Sequence, residues 1–546
     1  MDNIKKGGLG QMKATSTFFM FSIFLFLVTG AMSQQDKDFV SGVLKEKHGQ
    51  NPIPFATLRS KEKAIGVISN QDGGFRIPKY FLEEGKILEI SCLGYKTREI
   101  DLSTLKLGEQ NIIYLEREAI TLHESVIVGK RKNPPSPRKI IKRAFERIPQ
   151  NHPISPFGYV GYYRDYQLKD GEYINLNEAL LNIWDKGWAT NDLEATKIQI
   201  YDYKSNMDFR RDTLSIKPYD YISREKVIEN AYLFNFGGNE VSILRIHDAV
   251  RNFNVATYSF VNIPQKGILK NHSLTRLRDK SIDGEPMYVI SLEKSNAELD
   301  TSEFQNAPKT PRYGAIGKIY VSKMTYAIHK LEYRVFENHS SARSKASPRL
   351  IFEVDVEYKK RNDKMYLNYI SFNNSFTLQK SLFNIEEISL DKEQKCFDLR
   401  FNKSPVRFID WSQKNFYVRF KKRKVKIKKM EATPKGYMLY PDVEVFNEIQ
   451  EELTSLYGDS QYFPPDILEF QFVNLTDAHG NEINSFYSEE YKQYREFFTQ
   501  KIQEHNGLDM PANTLMKKDV PLSYGQPIFK PTNFDEFWMN TPLITE

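Results

Sequence analysis

Apolar and polar positions alternate with a period of two along most of this chain, and the alternation changes length at a few places that divide it. Between residues 38 and 128 the apolar runs are short and closely spaced: Val40-Ser41-Gly42-Val43, then Pro52 to Leu58, Ile65 to Ser69, Phe75 with Ile77, and Ile87 to Cys92. The turn Asn70-Gln71-Asp72-Gly73-Gly74 separates two of them; glycine tolerates the positive φ of a tight turn, and Asp72 can bond its backbone. Short strands at this spacing predict a small β-sandwich over 38–128. Ala56, Leu58, Phe75, Ile77, Leu88, Ile90 and Cys92 are its expected core. Residues 129–137 read as a linker, because Asn133-Pro134-Pro135-Ser136-Pro137 can continue neither strand nor helix.

After the linker the period changes. Ile141, Ala144, Phe145 and Ile148 recur at helical spacing, surrounded by Arg138, Lys139, Lys142, Arg143 and Arg147. From Phe157 to about Val425 the alternation returns in longer runs, with Asp170-Gly171 and Asp283-Gly284 as hairpin turns. In one such run Ile351, Glu353, Asp355 and Glu357 share a face, and Phe352, Val354, Val356 and Tyr358 share the other. From about Pro441 the pattern predicts helices: one capped by Asp442 and ended by Gly458, a second over Ser488 to Gln503. The expected organisation is a sandwich (38–128), a β-rich domain (138–430) and a helical region (431–546). The fold class is mainly β.

The order G-x-V, P-I-P-x-A-x-L, a D-G-G-F turn, an S-x-L-G-Y strand end and a closing L-H-E-S-V-I-V resembles the carboxypeptidase D regulatory-like domain. That resemblance implies a seven-stranded, transthyretin-like sandwich, often found after the signal peptide of Gram-negative envelope proteins. The sequence departs from the family pattern at Ser69-Asn70, where Thr-Asp is usual. Further on, Gly158 to Trp188, with Tyr162-Tyr163-Arg164-Asp165 and Asn177-Glu178-Ala179, resembles an envelope family that follows this domain in many exported proteins and has no assigned reaction. Gly317 to Val321, with Tyr326-Ala327-Ile328, is similar to lipoprotein-carrier half-barrels in strand pattern only.

Composition adds location. Lys5, Lys6 and Lys13, the apolar run Phe18 to Val28 and Ala31-Met32-Ser33 read as a signal peptide over 1–33, cleaved after Ser33. The run is shorter than the roughly twenty apolar residues a spanning helix needs. No later segment reaches that length free of charge, and no cysteine stands near the cleavage site for a lipid anchor. The expected location is the periplasm or the periplasmic face of the outer membrane. The net charge of +7 is spread over 77 basic and 70 acidic residues and does not argue for nucleic acid. Cys92 and Cys396, the two cysteines, do not make a disulfide framework.

Chemistry is scarce. None of the nine His opens an H-x-x-E or H-E-x-x-H motif; His123-Glu124 and His247-Asp248 are adjacent pairs on expected strands and point to opposite faces. There is no G-x-S-x-G elbow, P-loop or G-x-G-x-x-G, so no catalytic, metal or cofactor residues are assigned and no cofactor is expected. Two features remain. Arg164 and Glu178 stand in aromatic surroundings on either side of Asp170-Gly171, so a hairpin there would let them form a structural ion pair. Lys421, Lys422, Arg423, Lys424, Lys426, Lys428 and Lys429 are seven cations in nine residues. They suit either an anionic lipid or glycan surface or an edge strand guarded by lysines.

The function expected is that of a non-enzymatic envelope protein, an interaction or scaffold module whose partner is an envelope protein, lipid or glycan. The alternative is a periplasmic lipid or lipoprotein carrier using a curved sheet, and the third is an enzyme with an unfamiliar site. A large apolar cavity between sheet and helices would favour the carrier, a filled core the scaffold, and titratable groups converging in a cleft the enzyme.

Overall fold

In the computed structural model, the short runs between residues 38 and 128 become seven strands in two sheets. One sheet has the order β4-β1-β7, with β1 (Phe39–Glu46), β4 (Gly74–Pro78) and β7 (Gln110–Leu115). The other has the order β3-β2-β5-β6, with β2 (Thr57–Ser60), β3 (Gly66–Ile68), β5 (Ile87–Ser91) and β6 (Arg98–Asp101). The structure describes residues 39–540 except 62–65, 83–86, 119–133, 191–195, 218, 220–225, 228–238, 255–263, 283, 298–312, 338–348, 407–415, 459–467 and 505–509. The expected signal segment, the closing motif at 122–128 and the first part of the linker therefore lie outside the described residues.

Ala56, Leu58, Phe75, Ile77, Leu88 and Ile90 are buried in the sandwich core, as their alternation requires. Cys92 corrects the expectation: β5 ends at Ser91, the alternation stops with it, and Cys92 is only partly buried. The turn before β4 closes through Gly73 at φ +77° and a bond from Gly74 N to Asp72 Oδ1 (3.1 Å). The unusual Ser69 has its own task. Its Oγ donates to Ile53 O (2.8 Å) and accepts from Ala56 N (2.9 Å), holding the segment that leads into β2.

The longer runs form one twelve-stranded sheet. Its strands are β8 (Phe157–Lys169), β9 (Glu172–Asp185), β10 (Thr196–Ser205), β11 (Lys226–Val227), β12 (Ser273–Arg276), β13 (Lys280–Ile282), β14 (Glu285–Ala297), β15 (Tyr313–Ser322), β16 (Ile328–Glu337), β17 (Arg349–Arg361), β18 (Lys364–Phe383) and β26 (Ser485–Glu504). The main path runs β10-β9-β8-β26-β18-β17-β16-β15-β14-β12, and β26, last in the chain, is central. Ser488 to Gln503 is thus strand, not helix. Its register against β8 pairs Tyr494 with Tyr166 and Phe497 with Tyr163, and the aromatic positions on both faces are used. Helices α1 (Pro137–Glu146), α2 (Ile148–Asn151), α3 (Glu240–Ile246) and α4 (Pro264–Asn271) accompany this sheet. Ser136 caps α1, and Ile140, Ile141, Ala144 and Phe145 are its buried side.

Two compact units result, and their limits differ from the expected ones. The first joins the sandwich to residues up to 218, 228–376 and 491 onward; the second holds 219–227 and 377–490. The boundary expected at 430 fails because β26 returns to the first unit's sheet. In the second unit β19 (Ile385–Asp391), β20 (Cys396–Phe401), β24 (Gly436–Pro441) and β23 (Ile427–Thr433) make one sheet. The strands β22 (Arg423–Val425), β21 (Phe416–Phe420) and β25 (Leu468–Phe472) make another. Helix α5 (Val443–Tyr457), capped by Asp442 and ended at Gly458, puts Phe446, Ile449 and Leu453 into their shared core.

Within the first unit the sandwich is fastened to the sheet. Phe55 stacks on Tyr369 of β18 (4.7 Å between centroids), and Tyr369, Phe498 and Trp538 join the sandwich core cluster. Residues 538–540 act as a strap. Trp538 Nε1 donates to Arg76 O (3.2 Å) while its own carbonyl accepts from Gln500 Nε2 (2.7 Å). Asn540 accepts from Arg76 N and donates to Ile68 O, each at 2.8 Å.

Candidate functional site

The Asp170-Gly171 turn forms as expected, with φ of +52° and +89°, and places Arg164 directly opposite Glu178 in register. Their expected ion pair is nevertheless corrected. Arg164 Nε donates to Glu496 Oε2 (2.5 Å) on β26, which flanks β8 from the other side. Glu178 accepts from Tyr162 Oη (2.7 Å) and Asn206 Nδ2 (3.3 Å). One guanidinium stands between two carboxylates, and the tyrosine that satisfies Glu178 leaves Glu496 as its ionic partner. Burial works against the charge of Arg164, but Glu496 holds its pKa well above the ordinary value. Among the described residues its Nη1 and Nη2 have no hydrogen-bond partner.

The basic run lies in the second unit. Lys421 and Lys422 occupy the positive-φ turn between β21 and β22, and Val425 and Ile427 are buried. Lys421 pairs with Glu452 and Arg423 with Glu448 (2.7 Å), both on α5. Lys428 pairs with Asp442 and Lys429 with Glu431. Four of the seven cations are thus neutralised within the unit, which favours the strand reading over an anionic surface. Lys422, Lys424 and Lys426 make no ion pair among the described residues.

Titratable groups do converge between the large sheet and α3. Arg251 grips Asp185 with two bonds of 3.0 and 3.1 Å. Tyr358 Oη donates to Asp248 (2.6 Å), and Arg245 Nη1 donates to Tyr159 Oη (2.6 Å). His152 stacks on Trp188 (3.7 Å), and burial pushes its pKa down to about 3. His247 and Asp248 follow α3 rather than sitting on a strand; Asn239 caps that helix and sets the turn. The cavity between these groups, walled also by Val241, Leu244, Ile370 and Phe497, measures about 20 Å³. That is room for roughly one water. The charged groups here are partnered with one another.

The roomier space is a groove of about 500 Å³ between the sandwich and the sheet. Arg59, Ser91, Cys92 and residues 95–97 line it from the sandwich, and Glu285, His329, Lys330 and residues 357–360 from the sheet. Lys359 Nζ crosses it to Ser91 Oγ (3.1 Å). Lys330 bonds Glu332 (3.0 Å); burial opposes its charge, but the nearby carboxylates hold its pKa above the usual lysine range. Burial pushes the Cys92 thiol up to about 12, so it stays protonated. Among the described residues no group of three or more His, Cys, Asp or Glu is placed to hold a metal, and no helix is long and apolar enough to cross a membrane.

Residues 40–128 match the CarboxypepD_reg-like domain family. Among solved structures the chain is similar to an outer membrane lipoprotein-sorting domain, so assigned, from Vibrio parahaemolyticus, at 9% identity, covering 44% of this chain and 86% of that one with a TM-score of 0.17. It is also similar to a DUF1329 family protein from Desulfovibrio piger, at 7% identity, covering 44% and 87% with a TM-score of 0.18. No curated protein matches. Sequence reasoning missed Glu496, because its strand reads as helix, and missed the groove, because its two walls lie more than 160 positions apart in the chain. The alternation Tyr494, Glu496, Phe498 was the available signal.

Proposed function

We propose that this is a non-enzymatic, exported envelope protein whose sandwich and sheet together present a polar groove to an envelope partner. The contrast between two spaces carries this reading. Among the described residues, the cavity beside α3, on the side where a carrier would hold an acyl chain, has room for roughly one water. The larger of the two spaces, of ligand size, is the polar groove at the sandwich junction. The converging charges beside α3 support a structural role, since they bond one another around a space too small for a substrate. The basic, apolar and small-residue order of residues 1–33 supports export.

The test is made on protein extracted gently from the native envelope. Solvent extraction and mass spectrometry are expected to find no stoichiometric lipid. A photo-crosslinking residue at Thr97, in the groove, is expected to capture a discrete partner that one at exposed Lys392 does not. One lipid per chain, with no difference between the two positions, would establish the carrier instead.

A further inference from the structure

Three of the four sandwich edges are guarded, and one is not. On β4 the strap takes both backbone groups of Arg76: Asn540 accepts from its N–H (2.8 Å), and Trp538 Nε1 donates to its carbonyl (3.2 Å). Strand β3 has three residues, and β6 sets Arg98, Glu99 and Asp101 along its edge. Short edge strands, charge and covering segments are the ordinary guards against pairing with another chain. Strand β7 has none of these among the described residues. Gln110–Leu115 holds no charge and no proline over six residues, and Ile112 at its middle is 49% exposed. The direction of its backbone groups is fixed. Lys47 N donates to Leu115 O (3.0 Å), so Leu115 faces β1 in the parallel ladder, and sides alternate along the strand. Gln110, Ile112 and Tyr114 therefore turn their N–H and C=O groups outward. Arg98 Nη1 reaches Tyr114 O from that side (2.6 Å), and among the described residues nothing else bonds these outward groups.

We infer that β7 pairs with the β7 of a second copy of this chain, antiparallel about a two-fold axis at Ile112. The inference goes beyond the groove and does not rest on it. In that register Ile112 exchanges two backbone bonds with its copy, and Tyr114 N–H of each chain donates to Gln110 O of the other. The two Ile112 side chains lie side by side on one face and cover each other. The strand is thus its own complement. The charges at its ends are neutralised within the chain: Lys106 bonds Glu109 (3.0 Å), and Lys47 (2.5 Å) and Lys96 (3.3 Å) bond Glu116. A partner selected by charge has little to read there, and two copies do not repel. One strand pair covers less than a standard interface, so the dimer forms reversibly as concentration rises.

The test is sedimentation velocity of the full mature chain across the micromolar range. Wild type is expected to pass from monomer to dimer as concentration rises. Ile112→Pro removes an outward N–H and no bond to β1, a change that an edge strand tolerates. It should weaken the dimer about tenfold or more, the loss of two symmetry-related hydrogen bonds. Ile112→Lys sets two like charges on the axis and should weaken it likewise. Met324→Lys, at a 74% exposed apolar position in the turn after β15, should leave it unchanged. Hydrogen exchange on wild type needs no altered chain to fold: the amides of 110–115 should gain protection with concentration, and those of β12 should not. A monomer throughout, a dimer that either Ile112 variant leaves intact, or equal loss in Met324→Lys overturns the inference. So does protection of 110–115 that is the same at every concentration, which would mean that the chain itself covers this edge.

Discussion

Arg164, about 1% exposed, shares one patch of sheet with Tyr162, Tyr166, Glu178 and Glu496. Removing one partner of a buried pair leaves an uncompensated charge and costs roughly 3–5 kcal/mol, more than replacing both together. Glu496→Gln is therefore expected to lower thermal stability strongly, and Arg164→Met/Glu496→Gln to recover much of the loss, in paired denaturation curves. Its sequence neighbour Asp165 faces the other way and carries a pH signature. Burial first, and the nearby Glu240 second, raise its carboxyl to about 7. The folded chain then holds a proton that the unfolded chain releases near 3.8, so this stabilisation is full below about pH 4 and fades as pH rises towards 7. Asp165→Asn should gain on wild type across that window, by up to a few kcal/mol at its upper end. The buried His152 and His247, both held near 3, act in the opposite sense and lose stabilisation as pH falls below about 6.5, so the variant-minus-wild-type difference is the quantity to measure. At this scale the sequence disclosed that Arg164 and Glu178 would be neighbours, because turn chemistry is local. It hid Glu496, because ion pairing between strands some 330 positions apart is not.

Strands show the same division. Ser136 and Asp442 cap the helices that their patterns predict, and Asp170-Gly171 makes its hairpin, since each of these depends on a few adjacent residues. Strand β26 escaped because glutamate, glutamine and lysine are helix formers, and tertiary pairing overrode that preference. The seat for β26 is nonetheless written into β8. A Cβ at Gly161 would lie 2.2 Å from the Phe497 ring and 2.4 Å from Phe498 O, so only glycine lets β26 close on β8 there. Gly161→Val should destabilise the sheet by roughly 1–3 kcal/mol or more, as overpacking does, and raise hydrogen exchange in β26 and β8 ahead of β14 and β15.

Across the whole first unit, the sandwich and the sheet are fastened by the strap as well as by the Phe55–Tyr369 stack. The short apolar runs disclosed the sandwich; nothing local in Thr-Asn-Phe-Asp-Glu-Phe-Trp discloses that Trp538 and Asn540 complete it. Trp538→Ala removes a buried ring, which costs about 3–5 kcal/mol in a core. It should speed proteolysis between 129 and 137 and widen the groove, while hydrogen exchange in the second unit stays unchanged. The strap also imposes an order in time. Asn540 bonds Ile68 and Arg76 across more than 460 positions, so the sandwich is synthesised early and sealed only after more than 460 further residues. Until Trp538 arrives, the core it closes beside Tyr369 and Phe498 stays uncovered. A chain interrupted anywhere before that residue would expose apolar surface to whatever surveillance acts on unfinished proteins.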